Sequence, residues 1–145
     1  MQAERQFWMG LIARAKWSEL APLLDELEIP APVEWLRPPE MGMVMLKARA
    51  GDGGKAFHMG EATVTRCVVR IGSGETGFSY LLGRNADHAR FAALLDALLQ
   101  SAHKEFVQAK VLSPLSGLIA ERELMQSRKA AATKVDFFTL VRGEG

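Results

Sequence analysis

The sequence predicts an α+β fold: a four- to five-stranded, mostly antiparallel sheet with an N-terminal helix pair and two packed helices in the C-terminal half. Apolar residues recur at helical spacing before residue 28 and after residue 85, which indicates helices in both places. Residues 33–83 alternate apolar and polar residues between glycine-rich turns, which indicates a β-meander. With 145 residues, 48% hydrophobic and 24% charged, we expect one domain, residues 1–145.

Residues 5–28 are predicted to form a helical hairpin. Its apolar positions are Trp8, Leu11, Ile12 and Ala15, followed by Leu20, Leu23, Leu24 and Leu27. Two consecutive short helices are also typical of a helix-turn-helix that binds DNA. Such a recognition helix needs Lys or Arg near the phosphates, whereas residues 18–28 are acidic and contain no basic residue. We therefore expect no nucleic-acid partner.

The β-meander contains several alternating runs. Residues 42–50 place Val44 and Leu46 opposite Met43 and Met45, and residues 62–71 form the longest run. Shorter strands are predicted at 33–37, 57–59 and 77–83, with a break at Pro38-Pro39-Glu40 after the first of them. The glycine-rich residues 51–54 and 72–75 are predicted turns.

Residues 85–131 change to helical spacing. Asn85 or Asp87 is suited to be the N-cap of the first helix, because a short polar side chain can accept a hydrogen bond from the first turn. Ser113-Pro114 has the cap-then-proline pattern of a second helix start. We expect this helix to lose its pattern in Ala130-Ala131-Ala132.

The chain ends in an unusually apolar segment for a terminus. As a strand, residues 135–141 place Val135, Phe137 and Val141 on one face and Phe138 and Leu140 on the other. Both faces are then apolar, as in a strand covered on two sides. We predict a partner interface at Phe137, Phe138, Leu140 and Val141, together with Met43 and Met45, whose flexible thioethers suit adaptable contact surfaces.

Charge and cysteine content exclude several classes of protein. The formal net charge is +1, too small to hold nucleic acid or an acidic membrane without clustering. A single cysteine excludes an intramolecular disulfide and a multi-cysteine metal or iron–sulfur site. No apolar run approaches the ~20 residues that cross a bilayer, and the N-terminus lacks the pattern of a secretory signal. We therefore expect a cytoplasmic protein without a membrane partner.

Two groups of residues are candidates for binding phosphate. In residues 83–88 a strand leads into a helix, so free N–H groups at the helix start, with Arg84 and Asn85, could bind an anion. The alternative is a simple helix cap with a solvated Arg84 paired to Asp87. The second group, Arg66, Arg70 and Arg142, would form a basic pocket if the terminal strand packs alongside. Otherwise these arginines are solvated or ion-paired on an outward face.

The chain offers no recognisable catalytic or metal-binding motif. His58, His88 and His103 do not have metal-ligand spacing, and no His-Glu-x-x-His pattern is present. Cys67 alternates with Thr65 and Val69 as a buried strand residue would, without an adjacent base to activate it. No nucleotide-binding glycine pattern is present either. We predict no catalytic residue, no metal ligand and no cofactor bound by this chain alone.

Several motifs nevertheless occur in the order typical of one family. They are Thr65-Arg66-x-x-Val69-Arg70, Gly77-Phe78-Ser79-Tyr80, Gly83-Arg84-x-x-x-His88-Ala89, Asp96-Ala97-Leu98-x-Gln100 and Val135-Asp136-Phe137-Phe138-Thr139-x-Val141-Arg142-Gly143. Over nearly its whole length the chain resembles the G subunit of the bacterial carbon–phosphorus lyase core complex. It departs from the expected pattern at Asn85, where an aspartate is more usual. This change keeps a capping side chain and weakens the argument that an acid at this position does chemistry.

The resemblance implies a function within a complex. Family members support the displacement of adenine from MgATP by an alkylphosphonate, which gives a ribose 1-alkylphosphonate 5-triphosphate. The implied partners are a nucleosidase-like subunit, a radical S-adenosylmethionine subunit that holds an iron–sulfur cluster, and a further structural subunit. No catalytic residue is carried over to this chain. The resemblance favours an assembly or regulatory subunit in phosphonate catabolism without a complete active site.

Two other functions remain open from the sequence. The chain could be a phosphate- or nucleotide-binding α+β module that acts through Arg84 and the helix start at Asn85. It could also be a self-sufficient homo-oligomer in which the terminal strand covers a second copy.

Overall fold

The computed structural model describes the backbone of residues 2–49 and 56–144 and the side chains of residues 2–47 and 60–131. The elements are, in order, α1 (Gln2–Arg14), α2 (Trp17–Leu20), a 3-10 turn (Ala21–Leu24), β1 (Glu34–Arg49), β2 (Ala56–Arg70), β3 (Thr76–Leu82), α3 (Ala86–Leu99), α4 (Lys104–Val107), a π turn (Gln108–Leu112) and α5 (Ser113–Glu144). This is the predicted α+β class.

The described sheet has three antiparallel strands in the order β1-β2-β3, so the prediction of four to five strands was too high. β1 continues through Pro38 and Pro39 instead of breaking there. Its register shifts between Trp35 and Arg37 and again between Arg37 and Glu40. Such bulges let an edge strand accept prolines, which cannot donate to the ladder. Residues 57–59, predicted as a separate strand, belong to β2.

The first helix forms as predicted and the second is shorter than predicted. α1 buries Trp8, Leu11 and Ile12. α2 is a single turn, and the 3-10 turn that follows carries Pro22 near its start. Proline has no N–H to donate in a continuing α-helix, which explains why α2 ends at Leu20 and only a 3-10 turn to Leu24 follows, short of the predicted end near residue 28.

Helix α3 lies directly on the sheet and supplies much of the core. Ten of its residues are buried, from His88 to Leu99, and they pack against Cys67, Val69 and Leu81. Gly77 of β3 makes this close packing possible, because a Cβ there would collide with the backbone oxygen of Ala93 and lie 2.7 Å from the backbone nitrogen of Ala97.

The remaining helical segments run without a break from α4 into α5. A π turn separates them, with Ser113 N–H donating to Gln108 O. Pro114 follows at once, and in a regular helix its ring would clash with the carbonyl group four residues earlier. The wider turn accommodates the proline, so Ser113-Pro114 lies within a helical run rather than at a free start.

The prediction of a terminal strand at 135–141 was wrong, because these residues continue α5 to Glu144. Alanine is the strongest helix former, so Ala130-Ala131-Ala132 propagates the helix where loss of the apolar pattern had suggested its end. Phe137, Phe138, Leu140, Val141 and Arg142 therefore have helical backbone, and their side chains lie outside the described residues.

Candidate functional site

A fully buried carboxylate, Asp96, joins three elements. Arg5 of α1 donates to both its oxygens, from Nε at 3.1 Å and from Nη2 at 2.8 Å. Trp8 Nε1–H donates to Oδ1 at 2.9 Å, and the backbone N–H of Phe78 in β3 donates to Oδ2 at 2.9 Å. The hydrogen bond from Arg5 to Asp96 raises the pKa of Arg5. Four donors thus satisfy the buried charge, as a carboxylate in a protein interior requires.

The same carboxylate helps to close one edge of the sheet. Backbone bonds from Ile71 N–H to Glu75 O and from Gly83 N–H to Thr63 O show that odd-numbered positions of β3 face β2. The main-chain groups of Thr76 and Phe78 therefore point to the open edge. Here Gln100 Nε2 donates to Thr76 O at 3.0 Å, and Asp96 accepts from Phe78.

Asp96 of α3 and Gln100, which caps the end of that helix, lie one turn apart and take the place of a neighbouring strand. Because their side chains satisfy main-chain groups at the β3 edge, that part of the edge is blocked to another chain. Neither residue was among the predicted site residues. The sequence does contain a signal for Asp96, because a carboxylate within an otherwise apolar helix stripe indicates a buried, hydrogen-bonded ion pair.

The sheet face opposite α3, called here the outer face, exposes large apolar side chains. Phe78, Tyr80 and Leu82 alternate on this face of β3, and Leu82 is 73% exposed. Their cross-strand partners on β2 are Val68, Arg66 and Val64 respectively. Clustered exposed apolar residues on one face are typical of a surface that another protein covers.

The helix-side face of the sheet also exposes apolar residues where β1 and β2 extend past α3. Met41, Met43 and Met45 pair with Thr65, Thr63 and Glu61 of β2. All three methionines are exposed, Met43 by 66%. Met43 and Met45 are two of the predicted interface residues, and both are accessible to a partner.

The turn before α3 forms a helix cap. Asn85 Oδ1 accepts from His88 N–H at 3.0 Å, so Asn85 is the N-cap. Asp87 pairs with Arg90 at 2.9 Å rather than with Arg84. Arg84 itself is exposed and lines an open cavity of about 300 Å³ with Met41, Gly42, Met43 and Thr63.

The three described arginines among the phosphate candidates do not converge. Arg66 and Arg70 project from the outer face, where Arg70 lies 3.5 Å from Glu34. The cavity beside Arg84 opens near Met41 and Met43, on the helix-side face. The side chain of Arg142 lies outside the described residues. The predicted basic pocket of Arg66, Arg70 and Arg142 depended on a terminal strand packed alongside, and residues 135–141 are helical instead.

His88 and Cys67 are both buried within the fold. The buried His88 donates from Nε2 to the carbonyl oxygen of Ile12 at 2.9 Å, which links α3 to α1. Cys67 is buried on the helix-side face, and burial raises the pKa of its thiol, which disfavours a reactive thiolate. One buried cysteine does not fit an iron–sulfur cluster, which is held by several thiolates.

In the part of the chain that the structure describes, no three His, Cys, Asp or Glu side chains lie together as a metal site would need. No helix in the same part combines the length and the hydropathy that a bilayer crossing requires.

Comparison with known proteins identifies the family. The family model of the phosphonate metabolism protein PhnG matches residues 3–143. The chain belongs to the PhnG family. A relative from Rhizobium meliloti (strain 1021) is 44% identical over 143 residues, which cover 98% of this chain and 91% of the relative. That relative is named alpha-D-ribose 1-methylphosphonate 5-triphosphate synthase subunit PhnG.

The PhnG match confirms the resemblance that the sequence motifs indicated. The motif residues now have structural positions: Gly77 permits contact between β3 and α3, Asp96 and Gln100 bond to the β3 edge, and His88 bonds to α1. These are contacts that hold the fold together.

Proposed function

We propose that this chain is a subunit of a cytoplasmic synthase complex that joins an alkylphosphonate to the ribose triphosphate of ATP. The observation that carries the proposal is the 44% identity, over 98% of the chain, to a protein named as a subunit of such a synthase. Full-length similarity of this kind supports a shared place in the complex, because it includes both the core and the exposed sheet.

The proposed reaction exchanges one substituent at C1 of ribose. The bond from C1 to the adenine nitrogen breaks, and a phosphonate oxygen forms a new bond to the same carbon. Adenine is the leaving group, MgATP is the substrate, and the product is a ribose 1-alkylphosphonate 5-triphosphate. The iron–sulfur cluster and S-adenosylmethionine of the later carbon–phosphorus bond cleavage belong to a partner subunit.

This chain's own contribution is assembly or regulation rather than chemistry. Its buried polar groups, including Asp96, His88 and Ser79, are engaged in internal hydrogen bonds. Large apolar side chains are instead exposed on the outer face and on β1. Such surfaces suit contact with the nucleosidase-like subunit, the radical S-adenosylmethionine subunit or a further structural subunit.

The end of α5 is a second proposed contact region. Phe137, Phe138, Leu140 and Val141 give the terminal turns of the helix an apolar sequence. Taking one such side chain out of water contributes roughly 1.5–3 kcal/mol. A chain that stops after Lys134 is therefore expected to bind its partners more weakly while keeping its own core.

The experiment that tests the proposal is a subunit omission assay. Adenine release from MgATP and methylphosphonate would be measured by chromatography for the reconstituted complex, for the complex lacking this chain, and for the chain alone. We expect release only from the complete complex. Full release without this chain, or release by the chain alone, would contradict its role as a supporting subunit.

A further inference from the structure

The two edges of the sheet differ in how they are protected. At the β3 edge, the side chains of Gln100 and Asp96 satisfy the outward C=O group of Thr76 and the outward N–H group of Phe78. The β1 edge has a different environment. Since odd-numbered residues of β2 face β3, its even-numbered residues face β1 and pair there with Glu40, Gly42 and Val44.

The main-chain groups of Met41, Met43 and Met45 consequently point away from the sheet. Among the described residues, no hydrogen bond reaches these outward N–H and C=O groups. The three side chains are exposed as well. An unprotected, apolar edge of this length is a template for a further strand.

A charged group borders the same cavity as two of these methionines. Arg84 lines the cavity of about 300 Å³ that Met41, Gly42, Met43 and Thr63 also border. The guanidinium has no ion-pair or hydrogen-bond partner among the described residues. A strand added beside β1 would point alternate side chains toward the helix-side face, where this cavity opens, and an acidic side chain there would complement the charge of Arg84.

We propose that the β1 edge at 41–45 binds an extended, acidic segment of a partner subunit by strand addition. Main-chain bonds to Met41, Met43 and Met45 supply the pairing, apolar side chains contact the methionines, and one carboxylate pairs with Arg84. The inference rests on the proposed subunit role and names one site at which the partner binds.

Hydrogen–deuterium exchange of single amides tests this pairing. The N–H groups of Met41, Met43 and Met45 would be followed in the free chain and in the co-purified complex. We expect exchange at these three positions to slow by about tenfold or more on assembly. The amides of Gly42 and Val44 are an internal control, because they already bond to β2 and remain protected in both states.

Charge variants test the role of Arg84. We expect Arg84→Glu to weaken capture of the other subunits by about tenfold, whereas Arg84→Lys keeps most of the capture. The matched control is Arg90→Glu, which changes an α3 arginine paired with Asp87 and should leave capture unchanged. If Arg84→Glu and Arg90→Glu weaken capture of the other subunits equally, a specific contact between Arg84 and a carboxylate is contradicted.

Other results of these experiments distinguish a failure of the strand addition from a failure of the proposed subunit role. A complex that forms while Met43 exchanges as fast as in the free chain overturns the strand addition alone. A wild-type chain that captures no partner contradicts both proposals. Protection of Met43 in the isolated chain that increases with its concentration would assign the edge to a second copy. A chain that binds ATP or methylphosphonate through Arg84, without change at the edge, would assign the cavity to a phosphoryl ligand.

Discussion

Asp96 shows how a single residue determines the packing of three elements. Its carboxylate is wholly buried and accepts from Arg5, Trp8 and Phe78. Arg5 keeps 38% of its side chain exposed, so the ion pair sits at the border of the core. Loss of the carboxylate would leave these donors without a full set of acceptors. A buried polar group without a hydrogen-bond partner destabilises the folded state.

Replacing Asp96 with Asn is therefore expected to destabilise the protein by about 3 kcal/mol. The amide nitrogen that takes the place of one carboxylate oxygen cannot accept from Arg5 or Phe78. The free energy of unfolding would be measured by urea titration. Asp87→Asn is the control, because its exposed pair with Arg90 contributes less than about 1 kcal/mol. Similar values for both variants would show that the Asp96 network does not stabilise the fold.

Gly77 is the residue at which β3 and α3 come closest. A methyl group there would collide with the Ala93 carbonyl oxygen, so Gly77→Ala is expected to cost about 3 kcal/mol. Gly42→Ala is a matched strand control, since a Cβ at Gly42 meets nothing within 4 Å, and its effect should stay within about 0.5 kcal/mol. Thermal unfolding of the two variants would show the difference, and a Gly77→Ala variant as stable as the parent would disprove the close packing.

Some residue-scale features were predictable from sequence and others were not. Asn85 is the N-cap that its position before an apolar helical stripe predicted, because capping depends on neighbours in the chain. The partners of Asp96 lie 18 to 91 residues away in sequence. Only the tertiary fold brings them together, so spacing alone could not reveal the network.

At the scale of elements, two ion pairs attach the N-terminal helices to the C-terminal ones. Glu4 of α1 lies 2.7 Å from Lys104 of α4, and Glu19 of α2 lies 3.1 Å from Arg122 of α5. The hydrogen bond from Lys104 lowers the pKa of Glu4 below its ordinary 4.5. The hydrogen bond from Arg122 likewise lowers the pKa of Glu19.

These lowered pKa values predict a loss of stability in acid. A carboxyl group with a lower pKa in the folded state contributes its stabilisation above the unfolded value near 4.5. That contribution is lost as the pH falls through the folded value. We expect Glu4→Gln/Glu19→Gln to lose less stability than the parent when the pH is lowered from 6 to about 3. The free energy of unfolding would be measured by urea titration at each pH. Parallel curves of this free energy against pH for the parent and the variant would contradict the linkage.

The elements also show where sequence periodicity fails. Alternation correctly predicted the meander, because one face of β2 and β3 packs on α3 and the other does not. Alternation in residues 135–141 was misleading, since that short segment also follows an uninterrupted run of helix formers and continues α5. Helix propagation costs little once a helix exists, and no glycine or proline intervenes between Gly117 and Gly143.

At the scale of the whole molecule, the outer face is expected to be covered in the assembly. Tyr80 and Leu82 are exposed, so Tyr80→Ser/Leu82→Ser should change the free energy of unfolding by less than about 1 kcal/mol. The same variant should weaken binding to the other subunits by tenfold or more, as loss of apolar anchors does. Leu124→Ser, at an exposed leucine of α5, is the apolar control, and binding assays with purified subunits would compare them.

Equal binding by the parent and the Tyr80→Ser/Leu82→Ser variant would show that the outer face stays uncovered in the assembly. The interface would then lie on the β1 edge at residues 41–45 or on α5.

If this PhnG-family chain functions as part of a heteromeric particle, it should be recovered together with its partner subunits. Native mass spectrometry of the tagged chain, co-expressed with the other carbon–phosphorus lyase core subunits, measures this. We predict one particle whose mass includes this chain together with those subunits. A chain recovered only as a free monomer, while the remaining subunits form an active synthase without it, would contradict the account.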